Sequence, residues 1–103
     1  DSYAILTELG RLYDHDLHDS ARARNLWELA LKKWREQEKG RQDPDLFAYA
    51  QILASLADLD EREGRIKEAI GYLEPLAPAS PDPTAVEKRI VQQKERLKNP
   101  TQT

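Results

Sequence analysis

One hundred and three residues, 39% of them apolar and 34% charged, make one small domain able to bury roughly two-thirds of the surface its unfolded chain exposes. The absence of cysteine excludes a disulfide framework and thiolate chemistry, and no apolar run reaches the roughly 18 residues that span a membrane. The net charge of −3 hides a gradient: residues 1–20 carry five acidic side chains against Arg11 alone, while residues 82–103 carry five basic against three acidic. A gradient of this kind bears on partner steering or simple solvation, not on fold.

Ala, Leu, Glu, Lys, Arg and Gln dominate and β-branched residues are scarce, so the composition favours helix. A first helix is expected over residues 3–16, with Ser2 as N-cap and an apolar stripe of Ile5/Leu6, Leu9 and Leu12/Tyr13. The run Asp14-His15-Asp16-Leu17-His18-Asp19 breaks it, and Asp19 or Ser20 caps the next helix. That second helix, residues 21–39, carries Ala23, Leu26/Trp27, Ala30/Leu31 and Trp34 on one stripe, and Gly40 supplies a left-handed stop. Asp43-Pro44 reads as a cap followed by proline at the first helical position, opening a third helix over 44–63. From Leu46 and Phe47 to Leu59 this helix is apolar around most of its girth, as expected of an element contacted on two sides. Gly64 makes the turn to a fourth helix, residues 66–76, with Pro75 near its end and Pro78 and Pro81 finishing it. Asp82-Pro83 repeats the cap-plus-proline device and opens a fifth helix to about residue 97, with a thin stripe of Val86, Ile90 and Leu97 and Val91 to one side. Residues 99–103 have no periodicity and are expected to fray. A chain without methionine that begins at Asp1 reads as an excised domain or a processed product.

The chain repeats itself. Leu6-x-x-Leu9-Gly10 lies over Leu53-x-x-Leu56-Ala57, and Ala23-x-x-x-Trp27-x-x-Ala30 lies over Ala69-x-x-x-Leu73-x-x-Leu76. One helix pair is used twice. With Tyr13, Gly64 and Pro81, these residues resemble the tetratricopeptide repeat family, whose pattern sets Leu-Gly and Tyr on one helix against Ala, an aromatic and Ala on the next. The resemblance covers residues 3–97. It implies an all-α stack of antiparallel hairpins: a first pair over 3–40, a second over 43–77 and a capping helix over 82–98. Three features depart from the pattern: pairs longer than the usual repeat of about 34 residues, one extra residue in the Asp14–Asp19 turn, and Asp60 where a second tyrosine stands. HEAT-like pairs of about 40–47 residues are the structural alternative, but Gly10, Ala23 and Ala57 suit the closer packing.

Stacked pairs bury a continuous seam, and the first helix of each pair then lines a concave groove. The resemblance and the spacing place Thr7, Arg11, Asp14, Ser55, Asp58, Arg62, Lys88, Arg89 and Gln92 on that face. Some members of the family grip a chaperone's C-terminal carboxylate with Lys and Asn; here only Arg89 has that character, which argues against the clamp, and Asp14, Asp58 and Glu61 are available to pair internally. His15 and His18 with their carboxylates are the one cluster of metal-ligand types, but zinc needs three or four converging groups, so the run reads as a helix terminus. Trp27 and Trp34 read as core. No nucleophile motif or phosphate loop points to an enzyme, and the fifth helix lacks the aromatics of a nucleic-acid surface. The expected role is a cofactor-free module that binds a peptide or helix of a partner protein; the alternative is a spacer or self-assembly unit in a larger repeat protein.

Overall fold

The computed structural model describes residues 2–99. They are all-α: five α-helices, α1 (Tyr3–Arg11), α2 (Ser20–Glu38), α3 (Leu46–Arg62), α4 (Ile66–Ala79) and α5 (Pro83–Lys98), with a π turn, Leu12–Asp16, following α1 and no strand among the described residues. The chain divides into two compact units, Asp1–Ile52 and Leu53–Thr103, and α3 runs from the first into the second.

In the first unit α1 packs antiparallel on α2, and the reason is visible at Gly10. A Cβ at that position would lie 2.6 Å from Cδ1 of Trp27, so only glycine lets the indole reach the α1 backbone. Trp27 then donates its Nε1–H to the Thr7 carbonyl at 3.0 Å. This buries a large apolar surface without stranding the indole's polar atom. Ala23 and Ala30, one turn either side, are fully buried. Trp34 is 4% exposed; it stacks on Tyr49 with ring centroids 4.0 Å apart and donates to the Asp45 carbonyl at 2.8 Å. Both tryptophans are therefore core.

The end of α1 is wider than expected. The helical span does reach Asp16, but its last five residues form a π turn, in which the Leu17 N–H bonds the Leu12 carbonyl at 3.1 Å. The extra residue of the Asp14–Asp19 turn is absorbed here, since a π turn is one residue inserted into a helix. His18 takes a positive φ of 52°, the Asp19 N–H returns to the Tyr13 carbonyl at 2.8 Å, and the Asp19 side chain caps α2 through the Arg22 N–H.

Helix α3 starts two residues later than expected. Asp45, not Asp43, caps it: its Oδ1 accepts from the Ala48 N–H at 3.0 Å. Asp45 is held for that task by its own N–H, which bonds Glu38 Oε1 at 3.0 Å, and by the indole of Trp34. Pro44 stays outside the helix. The apolar girth also misleads at this end, since Leu46 and Phe47 are exposed.

In the second unit Leu53, Leu56, Ala57, Leu59, Ala69, Leu73 and Leu76 form the core. Positions paired by the repeat share a fate: Leu6 with Leu53, Gly10 with Ala57, Ala23 with Ala69, Trp27 with Leu73 and Ala30 with Leu76 are all buried. Leu9 breaks the rule, being partly exposed where Leu56 is sealed. Gly64, at φ 76°, closes α3 in a Schellman motif, with Arg65 N–H to Asp60 O at 2.8 Å and Gly64 N–H to Glu61 O at 3.2 Å. Pro75 and Pro78 do not end α4, which continues through both to Ala79. Asp82 caps α5 through the Ala85 N–H as expected. The thin stripe of α5 is thinner still: Val86 and Gln93 are buried, but Val91 and Leu97 are exposed. Of the expected frayed tail only Asn99 is described, and its N–H closes α5 on the Glu95 carbonyl; residues 100–103 lie outside the described residues.

Candidate functional site

Within the first unit a cleft of about 470 Å³ is lined by Ser2, Tyr3, Ala4, Thr7 and Glu8 from the α1 end, Gln37 and Glu38 from the end of α2, and Asp45, Phe47, Ala48 and Gln51 from the start of α3. Its floor is an ordered carboxylate. Glu38 is only 6% exposed, and its two oxygens accept from the Asp45 N–H and from Arg41 Nη1, both at 3.0 Å. A buried carboxylate persists only when bonded in this way. The Tyr3 hydroxyl reaches Asp45 Oδ2 at 3.5 Å. Burial first, then the negative charge of Glu38 and Asp45, push the Tyr3 hydroxyl above its ordinary value. Phe47 stands at the lip and is 78% exposed.

Of the expected groove positions, only Thr7 lines this cleft, and its hydroxyl is turned back to the Tyr3 carbonyl at 2.6 Å. Arg11 is exposed and ion-paired to Glu8 through Nε and Nη2; that pairing holds the Glu8 carboxyl below the usual carboxylate range. Asp14 lies half-buried in the π turn.

In the second unit Asp58 and Arg89 meet. Arg89 gives Nε and Nη2 to the two oxygens of Glu61, at 3.0 and 2.6 Å, and Nη2 also to Asp58 Oδ1 at 2.5 Å. The hydrogen bonds to Glu61, and then to Asp58, push Arg89 above its ordinary value despite partial burial. This is the internal pairing that Asp58 and Glu61 offered, and it ties α5 to the end of α3 through a bidentate fork. Ser55 is half-buried on α3, Arg62 is exposed at its end, and Lys88 and Gln92 are exposed on α5.

Tyr3, Glu38, Asp45, Phe47 and Gln51 were not among the expected positions. A signal for two of them exists: stepping back from Ser55 by four residues gives Gln51, and by four more Phe47, the same helix face. Nothing local marks Glu38. At the π turn His15 Nδ1 lies 3.0 Å from Asp16 Oδ1, and among the described residues no group of three or more His, Cys, Asp or Glu is placed to hold a metal ion. No described helix is long and apolar enough to cross a membrane. Comparison with protein-family models, curated proteins and solved structures gives no match.

Proposed function

We propose that this chain is a non-catalytic protein–protein interaction module of tetratricopeptide-like helix pairs, taking a peptide or helix of a partner on the exposed face of its first helices. The observation that carries the reading is Phe47. Trp34 and Tyr49 of the same unit stack on each other, while Phe47 is left in solvent beside Leu46, at the lip of a polar cleft. Partner contacts concentrate on such aromatic anchors with polar groups around them. The cleft's polar groups suit recognition better than turnover, since Glu38 and Asp45 are already bonded to backbone N–H groups and to Arg41.

Recovery of partner proteins on the immobilised chain tests this. Phe47→Ala and Arg11→Glu, both exposed, should each reduce recovery at an unchanged melting temperature; full recovery with both variants refutes the reading. Charge reversal at Arg89 is a poor probe, because it breaks the fork to Glu61 and Asp58. A second reading, self-assembly within a larger repeat protein, is favoured by Val91, 60% exposed, and Leu97 on α5. Sedimentation that shows concentration-dependent association, abolished by Val91→Asp, would support it.

A further inference from the structure

We infer that the cleft of the first unit is a subsite for an arginine side chain of the partner segment, its guanidinium facing Asp45 and the Tyr3 hydroxyl and its flat face lying on Phe47. This rests on the interaction reading above and names the chemistry of the partner.

Three observations support it. Among the described residues the lining carries three carboxylates, Glu8, Glu38 and Asp45, and no cationic side chain. Two of the three are balanced from outside the lining, Glu8 by Arg11 and Glu38 by Arg41. The bonds to the Asp45 carboxylate come from neutral donors, the Ala48 N–H and the Tyr3 hydroxyl, so its charge remains to be met at the mouth of the cleft. An anion is disfavoured even though two helices begin here: Ser2 takes the Ile5 N–H of α1, and Asp45 takes the Ala48 N–H of α3. The Tyr3 hydroxyl is raised above its ordinary value by burial first and then by the charges of Glu38 and Asp45. Finally, Phe47, 78% exposed, offers an aromatic ring on the same cleft as that carboxylate. A guanidinium stacks on an aromatic face while its edge donates to a carboxylate in plane, which an ammonium cannot do.

The test is an NMR titration of the full chain with the peptide acetyl-Gly-Ala-Arg-Ala-Gly-amide, and with versions carrying lysine or citrulline in place of arginine. Saturable shifts are expected at the amides of Tyr3, Asp45 and Phe47, with citrulline weaker by about tenfold or more and lysine intermediate. Asp45→Asn keeps the cap, because asparagine caps as well as aspartate, and should weaken the arginine peptide about tenfold; Phe47→Ala should weaken arginine more than lysine. Equal binding of citrulline, equal binding of lysine, or shifts confined to other parts of the chain would overturn the inference. Partner recovery lost with Phe47→Ala but intact with Asp45→Asn would overturn it while leaving the interaction reading standing. Recovery intact with both, and with Arg11→Glu as well, would remove the two together.

Discussion

Gly10 and Gly71 look alike in the sequence and behave oppositely in the structure. Gly10 faces the Trp27 indole, so Gly10→Ala forces either the ring or α1 to move and should destabilise by about 1–3 kcal/mol, seen as a lowered melting temperature. Around Gly71 a Cβ would meet nothing within 4 Å, and the residue lies inside α4. Gly71→Ala should therefore stabilise, by about 0.5–1 kcal/mol. Tyr3 makes a pH prediction at the same scale. A hydroxyl whose folded value is raised contributes stability that is complete below its unfolded value, the ordinary 10.0, and is lost as pH rises through the folded value. Absorbance titration should find one tyrosine ionising later than free tyrosine, and Tyr3→Phe should remove it from the alkaline titration.

At the scale of elements, the joints decide more than the helices. The α2–α3 connection is organised by Glu38, whose carboxylate binds the Asp45 N–H and Arg41. Glu38→Ala strands that N–H and is expected to cost about 1.5–3 kcal/mol, with hydrogen exchange speeding up at the start of α3 before the rest of the helix. In the second unit the Arg89 fork ties α5 to the end of α3. Arg89→Met keeps the stem and loses the fork, leaving half-buried Glu61 unmatched. The amides of α5 should then exchange faster while those of α4 are little changed. Comparable acceleration in α4, or no change in α5, would refute a fastening role. The π turn explains why a repeat with one residue too many still caps α2 on schedule: the insertion widens one helical turn and leaves the Asp19 cap in place.

At the scale of the whole molecule, both tryptophans lie in the first unit, so their fluorescence reports that unit while ellipticity reports all five helices. Because α3 begins in one unit and ends in the other, its melting removes structure from both. Thermal unfolding followed by the two signals should coincide; a fluorescence transition well separated from the ellipticity transition would show that the units unfold independently.

The five helices, their caps at Ser2, Asp19 and Asp82, the left-handed glycines at 40 and 64, and the burial of Leu6, Ala23, Trp27, Ala57 and Leu73 were legible in the sequence. These features depend on neighbours three or four residues away and on turn chemistry that is local. The end of α4 misled because Pro78 was read as a stop after Leu76, whereas the helix runs through Pro75 and Pro78 to Ala79. The site was mostly illegible for another reason. Tyr3 meets Asp45 across 42 positions of chain and Arg89 meets Asp58 across 31. Which of many similar charges on exposed faces find each other, and which aromatic is left outside, depends on how the helices pack. Spacing alone placed Phe47 in a core that the start of α3 does not reach. The sequence determined that five helices form, where Ser2, Asp19 and Asp82 cap them and which repeat positions are buried, because those choices are local; tertiary packing decided where α3 begins, which polar side chains are tied down, and so where a cleft with an exposed ring and a carboxylate bonded by neutral donors remains.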